Sequence, residues 1–370
     1  MKLGVIGFGT RLEHMVNNCM RESDSELRVV AAIDPDEAAV RAKLPEGEGR
    51  DLQFVQDVDS LVDKGVDAIA IGTRCNLHAP FAIEAAGSGL PIFLEKPVSI
   101  SMTQGLELEE AFTISKSEVV VSFPLRASPL CQRIKSLLER GEIGIPEHVM
   151  AANYVPYGDV YFNSWYRDAK ITGGLFLQKA THDLDYLAFC LRSPIVRVAA
   201  MKSCGRVFRD KQFDDDSNGD YNFHEGIGTP ETGMNEDSSS VLLEFANGAQ
   251  GLYTQVFYSK RGAAVRGATF SGYRGTLRFD WYANKASLFH HLEPFEDTFE
   301  VDSSLHHHGG DGVIADNFVK VVKGEAKSIS TIWNGLQSVY ACLAANESAE
   351  TGRFCDVRQI SSVKTNELQL

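Results

Sequence analysis

The chain has 370 residues, a length that predicts two domains rather than one. It carries 36 lysines and arginines against 50 aspartates and glutamates, a formal net charge of −14. This acidity argues against a nucleic-acid partner and against an anionic membrane surface, because both attract clustered Lys and Arg. An apolar fraction of 44% excludes global disorder.

The sequence predicts a cytoplasmic protein. No stretch approaches the roughly 18–20 apolar residues of a membrane span. The first ten residues, MKLGVIGFGT, predict a buried strand rather than a signal peptide. The seven cysteines are scattered without a CxxC pair, which is typical of a reducing compartment. Their spacing also fits no structural zinc site, so we expect no metal.

The first third of the chain alternates short apolar runs with helical patterns. Such alternation predicts βαβ units and a parallel sheet that is covered on both faces. Residues 54–63 are predicted to contain the end of a strand followed by a short helix. The predicted strands are 3–7, 27–34, 66–73, 91–97 and 118–126, and the predicted helices are 11–23, 36–44, 77–89 and 102–117.

A glycine turn separates the first strand from the first helix. Gly7 and Gly9 begin a dinucleotide-binding pattern, G-x-G-x-x-G, in which Leu12 replaces the third glycine. The first glycine permits the tight turn, and the second lets the backbone approach a pyrophosphate. Thr10 and Arg11 begin the helix, whose N-terminal N–H groups would face the phosphates. An ordinary strand-to-helix turn is the alternative.

Asp34 ends the second predicted strand, where an acidic residue can bind the ribose hydroxyls of a dinucleotide. Pro35 and Asp36 follow it, and neither offers a cation to a 2′-phosphate. The sequence therefore favours NAD over NADP. Arg41, one helical turn further on, keeps NADP open as the less favoured cofactor.

Glu95-Lys96-Pro97 follows a predicted strand at the end of this region. A strand followed by EKP after a Rossmann half resembles the glucose–fructose oxidoreductase / inositol dehydrogenase (Gfo/Idh/MocA) family of two-domain NAD(P)-dependent oxidoreductases. The resemblance runs over most of the chain. Further segments that resemble the family are Gly72-Thr73 with Asn76 and His78, Arg126, Trp165-Tyr166-Arg167-Asp168 with Gly173-Gly174, His182-Asp183-Leu184-Asp185, and His307-His308-Gly309-Gly310-Asp311.

The resemblance implies a domain division and a fold. We expect an α/β Rossmann domain at 1–125, followed at 126–370 by an α+β substrate-binding and oligomerisation domain with an open, mainly antiparallel sheet. The sequence agrees, with two predicted strands around Asn247-Gly248 and two more around Tyr273-Arg274-Gly275. Further predicted elements are a strand at 285–293 and helices at 311–324 and 332–352, which we expect to return toward the first domain. Because the family's sheet face usually packs on another subunit, we expect a homodimer or homotetramer.

The resemblance also implies where the cofactor binds. Thr73, Asn76 and His78 correspond to the family's strand-end segment beside the cofactor ribose, and Glu95 and Lys96 complete the predicted cofactor group. Lys96 is in addition the first catalytic candidate. It lies just past a strand's carboxyl end, where ligands of α/β sheets bind. Its ammonium can hold the reacting oxygen, and a cis bond at Pro97 would aim it.

His182 is the second catalytic candidate, because an imidazole titrates near operating pH and suits a general base. Lys179 lies three residues before it and Asp185 three residues after it, so in a helix over 175–192 both share its face. Asp185 could then orient the ring. Many family members have D-x-G-x-H here, whereas this chain has Gln178 and Ala180. The closer E-K-G pattern makes Lys179 a second active-site cation.

The remaining candidates concern substrate and metal. Arg126, Trp165, Arg167 and His307 are predicted to line the substrate pocket with Asp185. The run His306–His308 invites a metal hypothesis, but adjacent residues in an extended loop rarely ligate one ion. The acidic segment 209–238 predicts a solvated loop inserted in the second domain. Asp214–Asp216 lack the spacing of a calcium-binding EF-hand.

Three functions follow from these residues. The first is an NAD-dependent dehydrogenase that transfers hydride between nicotinamide and a secondary alcohol of a small-molecule polyol, sugar, inositol or sugar acid. The second is a redox-neutral hydrolase or epimerase that keeps NAD bound. The third is a non-catalytic nucleotide or sugar sensor, which Gln178 favours and which the presence of both Lys96 and His182 opposes.

Overall fold

The computed structural model describes residues 1–162, 164–208, 235–301, 306–360 and 370. Contacts between these residues divide the chain into two compact units. The first unit holds Met1–Ser128 and Gly309–Val339, and the second holds Pro129–His308 and Tyr340–Gln359. The predicted boundary at residue 125 differs from this grouping, because Gly309–Val339 belongs with the N-terminal residues. The division into a cofactor domain and a substrate domain stays a prediction.

The first unit is built on a six-stranded parallel sheet. Its strands are β1 (Lys2–Ile6), β2 (Arg28–Ile33), β3 (Gln53–Phe54), β4 (Ala68–Ile71), β5 (Ile92–Leu94) and β6 (Val119–Val121). Their order across the sheet is β3-β2-β1-β4-β5-β6. β1 pairs with both β2 and β4, so successive strands are added on one side of β1 up to β3 and on its other side from β4 onward. The carboxyl ends of the strands at such a switch point are where open α/β sheets bind ligands.

Helices connect these strands, as the alternating pattern predicts. Asp36, Asp57 and Ser101 each begin a helix by accepting a backbone N–H three residues on, which replaces a hydrogen bond that the helix itself cannot make. The helices of this unit are Thr10–His14, the π-helical Met15–Met20, Arg21–Ser23, Glu37–Lys43, Glu48–Asp51, Val58–Val62, Cys75–Ala86, Met102–Ile114, Pro124–Ala127, Gly310–Val322 and the first part of Ile332–Thr351.

The core of the first unit explains why the late helix Gly310–Val322 belongs to it. Ile314 and Phe318 of this helix are buried in one cluster with Leu3 and Val5 of β1. The ring of Phe318 meets the ring of Phe93 edge to face at 5.5 Å. Burial of each such side chain stabilises the unit by about 1.5–3 kcal/mol.

The second unit is built on a nine-stranded sheet. Its strands are β7 (Pro146–Tyr154), β8 (Ile195–Cys204), β9 (Glu236–Phe245), β10 (Gln250–Val256), β11 (Val265–Gly272), β12 (Gly275–Asp280), β13 (Lys285–His290), β14 (Glu296–Glu300) and β15 (Cys355–Asp356). Their order is β14-β13-β12-β11-β7-β10-β9-β8-β15, and among these described strands only β7 and β10 pair in parallel. The predicted open, mainly antiparallel sheet is confirmed.

One helix of the second unit is buried along its whole length. Every residue of Thr181–Leu191 is buried, and this helix packs on Pro129–Glu139. The predicted single helix over 175–192 is instead a π-helical turn followed by an α-helix. The helices of this unit are Pro129–Glu139, Gly158–Phe162, Ser164–Arg167, Ala169–Thr172, the π-helical Phe176–Ala180, Thr181–Leu191, Arg261–Ala263, His306–Gly309 and the second part of Ile332–Thr351.

The last residues of the acidic segment 209–238 belong to a strand rather than to the predicted loop. Residues 209–234, Asp214–Asp216 among them, lie outside the described residues. Glu236 and Asp237, however, begin β9 and are buried. Glu236 accepts the backbone N–H of Leu175, and Asp237 accepts that of Val207. Burying these carboxylates is possible because backbone donors replace the lost water.

A buried ion pair ties the helix Thr181–Leu191 to the sheet. Arg266 of β11 donates from Nε to Oδ1 of Asp183 at 3.0 Å and from Nη2 to Oδ2 at 3.1 Å. Asn153 of β7 and Tyr253 of β10 also donate to Oδ2, at 2.9 and 3.0 Å. Burial would lower the pKa of Arg266, but Asp183 raises it above its ordinary value. One carboxylate therefore joins the helix to three strands.

We predict that Asp183→Asn lowers the free energy of unfolding by about 3 kcal/mol, because it leaves Arg266 as an uncompensated buried charge. Urea unfolding followed by tryptophan fluorescence measures the change. Glu244→Gln is the matched control, since Glu244 pairs with Arg197 on the surface, where ion pairs contribute at most about 1 kcal/mol. Equal effects of the two variants would contradict the prediction.

Candidate functional site

The glycine turn after β1 has the backbone geometry of a phosphate-binding turn. Gly7 has φ +74°, and a Cβ at this position would lie 2.7 Å from Cα of Thr73. Gly9 is extended and precedes the helix Thr10–His14. Leu12, at the place of the third glycine, is buried beside Gly72, where a Cβ would lie 2.7 Å from Cβ of Leu12. The small residue that close packing needs is therefore Gly72 on the facing segment.

Asp34 holds the same turn from the end of β2. Its Oδ2 accepts the backbone N–H of Phe8 at 2.7 Å, and its Oδ1 accepts that of Asp36 at 2.9 Å. Arg41, the residue that kept NADP open, donates to the carbonyl of Gly49 and stacks on Phe54. The guanidinium of Arg41 is thus bound to other groups of the protein. The carboxylate of Asp34 favours ribose hydroxyls over a 2′-phosphate.

The segment after β4 supplies a polar atom suited to a ligand. The Oδ1 atom of Asn76 is buried and has no hydrogen-bond partner among the described residues. A buried unsatisfied oxygen costs about 1–3 kcal/mol unless a ligand or water donates to it. Together with the left-handed Gly7 and with Asp34, this orphaned atom fits a bound dinucleotide.

His78 is buried and bound to protein carbonyls, whereas its predicted role is contact with the cofactor. Its Nδ1 is 2.8 Å from the carbonyl of Pro97, and its Nε2 is 3.1 Å from the carbonyl of Thr73. Burial lowers the pKa of His78. Both ring nitrogens therefore face protein carbonyls and join the segments after β4 and β5. Direct contact between His78 and the cofactor stays a prediction that these contacts do not support.

Arg11 is the centre of a charged cluster rather than an outward-facing phosphate ligand. Its Nη1 and Nη2 donate to the two carboxylate oxygens of Asp311, both at 2.7 Å, and its Nε donates to Glu95 at 3.1 Å. Nη2 also donates to Ser122. Burial would lower the pKa of Arg11, but Glu95 and Asp311 raise it. Sequence reasoning did not pair Arg11 with Asp311 or Ser122, because 300 and 111 residues separate them from Arg11.

Lys96 follows Glu95 at the carboxyl end of β5, and its bond to Pro97 is cis. Its side chain is half-buried. The cluster around Arg11 thus connects the glycine turn to the segment that carries Lys96. Arg126 is buried within Pro124–Ala127 and donates to the carbonyl of Ile329 at 3.3 Å. The substrate role of Arg126 stays a prediction.

In the second unit, the π-helical turn Phe176–Ala180 places Lys179. The backbone N–H of Leu175, just before the turn, donates to Glu236 at 2.7 Å, a contact that the sequence did not indicate. The ammonium of Lys179 donates to the hydroxyl of Tyr157 at 3.0 Å and lies 5.4 Å from the ring centroid of Tyr161. π-Helical turns often occur at functional sites.

His182, Gln178 and Asp185 are all buried on this segment. Because a π turn precedes the α-helix, the three-residue spacing rule of a regular helix does not apply between Lys179 and His182. The orienting role of Asp185 stays a prediction. Asp183, for which the sequence indicates no separate role, is the carboxylate that binds Arg266.

The other predicted substrate residues lie in two segments. Trp165 stacks on Tyr166 with centroids 3.9 Å apart, and Arg167 is exposed. His307 is exposed and His308 partly buried, and both have positive φ, at 43° and 56°. Nδ1 of His308 donates to Oδ1 of Asn284 at 3.0 Å. Burial, and next the charge of Arg266, lowers the pKa of His308 to about 4. Within the described ranges, no cluster of potential metal ligands occurs.

Comparisons with known proteins agree with this architecture. Residues 1–123 match the family model "Oxidoreductase family, NAD-binding Rossmann fold", and residues 131–278 match "GFO/IDH/MocA C-terminal domain". The predicted Rossmann fold and its cofactor, NAD, are thereby confirmed. Among the described residues, no helix is both long enough and apolar enough to span a membrane.

Curated relatives match part of the chain. The scyllo-inositol 2-dehydrogenase (NAD(+)) of Bacillus subtilis (strain 168) is 26% identical over 254 residues, 65% of this chain and 65% of its own length. The inositol 2-dehydrogenase of Rhizobium meliloti (strain 1021) is 26% identical over 62% of this chain and 61% of its own length. The matches thus span just under two thirds of these relatives.

Solved structures share the fold over nearly the whole chain. A levoglucosan dehydrogenase in complex with NADH and levoglucosan has a TM-score of 0.78 at 19% identity and covers 97% of this chain and 100% of its own. An NAD binding oxidoreductase from Klebsiella pneumoniae has a TM-score of 0.77 at 19% identity, with 97% and 99% covered. These likenesses confirm the fold.

We predict that Gly7→Ala weakens NAD binding at least tenfold, a loss of about 1.4 kcal/mol. The added Cβ would press on the backbone of Thr73 and displace the turn. Isothermal titration calorimetry with NAD measures the affinity. Gly65→Ala is the control, because Gly65 has a similar φ of +69° but nothing within 4 Å of the added Cβ. The prediction fails if both variants bind NAD as the wild type does.

Proposed function

Since the chain belongs to the Gfo/Idh/MocA family, we propose that it is an NAD-dependent dehydrogenase that acts on a secondary alcohol of a sugar, inositol or sugar acid. The observation that carries the proposal is the tie between the glycine turn and the EKP segment. Arg11, at the start of the helix after the turn, binds Glu95 at the end of β5. A dinucleotide on the turn therefore lies next to the segment of Lys96.

The residues of the first unit suit NAD. The turn at Gly7 and Gly9, with the N–H groups of Thr10 and Arg11, would hold the pyrophosphate. Asp34 would bind the adenosine ribose, and Thr73 and Asn76 would lie beside the second ribose. NAD when bound supplies the acceptor for hydride. NADP remains the less favoured cofactor, since Arg41 is held by Gly49 and Phe54.

The chain's own residues have three tasks in this reaction. Lys96 holds the reacting oxygen and stabilises the charge that develops on it. His182 is the acid–base candidate that the family resemblance offers. Lys179 adds a second cation. Arg126, Trp165, Arg167, Asp185 and His307 are proposed to recognise the polyhydroxylated substrate.

The substrates to be tested can be ranked from the names of the relatives. Inositol 2-dehydrogenases and a levoglucosan dehydrogenase are among the similar proteins, so inositols and anhydrosugars come first, followed by aldonates. A redox-neutral hydrolase or epimerase and a non-catalytic sensor are the alternatives. Gln178 favours the sensor, because its amide cannot accept a proton where many members have aspartate. In the redox-neutral enzyme, bound NAD would copurify and NADH would not accumulate.

We predict that Lys96→Ala lowers kcat by about 10²–10³ on any alcohol that the wild type oxidises, because it removes the donor to the developing oxyanion. NADH formation across the substrate panel measures kcat, and calorimetry measures NAD affinity separately, so that a loss of turnover is distinguished from a loss of cofactor. Lys64→Ala is the control, since Lys64 is an exposed lysine of the same unit.

Wild-type turnover that Lys96→Ala leaves unchanged would refute the catalytic role of Lys96. NAD binding without NADH from any substrate would favour the redox-neutral enzyme or the sensor.

We also propose that the second sheet forms a homodimer or homotetramer interface. Its exposed face carries an apolar row, in which Leu242 lies between Ala199 and Leu252, and Leu252 lies opposite Met150. Leu242 and Met150 are 54% and 51% exposed. Contiguous exposed apolar side chains on a sheet favour a partner surface.

Leu242→Glu is expected to convert the oligomer to monomer, because it would bury a charge in the interface. Sedimentation velocity at micromolar concentration measures the change. Ile114→Glu, at an exposed residue of the helix Met102–Ile114, should leave the oligomer intact. A wild type that sediments as a monomer would contradict the proposed interface.

A cytoplasmic location is proposed from the thiols. None of the seven cysteines, all of which lie in the described part of the chain, forms a disulfide. The thiols of Cys131 and Cys190 lie 3.6 Å apart at their Sγ atoms, a hydrogen-bond contact rather than a disulfide. Thiols so placed are typical of a reducing compartment.

A further inference from the structure

Tyr157 and Lys179 form a phenol–ammonium pair in the second unit. Tyr157 follows β7, and its hydroxyl lies 3.0 Å from Nζ of Lys179. The same ammonium lies 4.9 Å from the centroid of the Tyr157 ring and 5.4 Å from that of Tyr161. Lys179 is 5% exposed. Across the described ranges, no carboxylate lies within ion-pair distance of this ammonium, so the charge of Lys179 acts chiefly on the two phenols.

A second cation acts on the same hydroxyl. Arg266 of β11 lies close enough to favour the phenolate form of Tyr157, although Asp183 binds its guanidinium. Burial alone would raise the pKa of Tyr157, but Lys179 and Arg266 outweigh it and lower this pKa to about 8. Tyr282 also faces the hydroxyl.

The neighbouring phenols behave in the opposite way. Burial, with Tyr157 as the next cause, raises the pKa of Tyr161 well above its ordinary value, and the same two causes raise that of Tyr282. Titratable groups whose environments push their pKa values apart are typical of acid–base sites. Within this cluster, Tyr157 is the phenol that ionises first.

Tyr157 is also the more exposed member of the pair. Its side chain is partly exposed, whereas Lys179 and Arg266 are buried. A buried ammonium cannot itself exchange protons readily with a substrate, but it can stabilise a phenolate beside it. Lys179, predicted from the sequence as an active-site cation, therefore acts through Tyr157.

We infer that Tyr157 is a further catalytic residue of the proposed reaction, in which its phenolate accepts the hydroxyl proton of the substrate alcohol while Lys179 stabilises the ionised form. The inference rests on the proposed dehydrogenase function. As the O–H proton moves to the phenolate oxygen, the C–H bond would break with transfer of its hydrogen and the electron pair to bound NAD, and the carbonyl would form. The phenol then returns its proton to water.

The first test needs no turnover. Ultraviolet difference titration of the cofactor-free protein should show one of the eleven tyrosines ionising near pH 8, below the ordinary pKa of about 10. Tyr157→Phe should remove this step, and Lys179→Met should move it to higher pH. A titration that Tyr157→Phe leaves unchanged overturns the inference.

The second test uses the alcohol that the wild type oxidises. Tyr157→Phe keeps the ring against Lys179 and should lower kcat by about 10²–10⁴ without changing NAD affinity. The rise of wild-type kcat with pH through about 8 should disappear in Tyr157→Phe, because the phenolate forms above that pH. Tyr273→Phe deletes the hydroxyl of an 82% exposed tyrosine and should keep the wild-type profile.

The outcomes separate the inference from the proposed function. If Tyr157→Phe retains the kcat and pH profile of the wild type, the catalytic role of Tyr157 is overturned and the dehydrogenase stands. If the wild type oxidises no alcohol, the proposed function and this role fall together, even where the titration near pH 8 is assigned to Tyr157.

Discussion

The buried pair of Asp183 and Arg266 is the interaction on which the candidate site of the second unit depends. A guanidinium inside a sheet-covered core loses its hydration, and the attraction of a well-placed carboxylate offsets that loss. Asp183 also accepts from Asn153 and Tyr253, so the helix Thr181–Leu191 has one position relative to β7, β10 and β11. The π turn that precedes this helix carries Lys179. The location of its ammonium therefore follows from a carboxylate four residues away.

The first unit uses the same device with a different geometry. Arg11 binds Asp311 and Glu95, and so joins the helix after the glycine turn, the end of β5 and the helix Gly310–Val322. A charge-assisted fork of this kind holds planar groups in a fixed relation, which a lysine would not do. Arg11 occupies a variable position of the glycine pattern, and yet it positions the segment that carries Lys96.

Local pattern predicts most of the fold but little of these pairings. Continuous apolar runs predict β1 and β4, and Asn247-Gly248 predicts the hairpin of β9 and β10, because both signals reside in neighbouring residues. β14 reads EDTFE and is mostly exposed, so no apolar alternation reveals it. The partners Arg11 and Asp311, or Tyr157 and Lys179, lie far apart in sequence and meet only through the fold. The sequence identified Lys179 as a cation but offered no signal for the phenol beside it.

The pair of Tyr157 and Lys179 also gives physical meaning to Gln178. In the D-x-G-x-H pattern of many family members, a carboxylate lies next to the position of Lys179. An aspartate at that position would add a negative charge to the same turn, which would oppose the effect of Lys179 on the phenol. Glutamine is neutral and adds no such charge. The neutral residue at position 178 is therefore consistent with the lowered pKa of Tyr157.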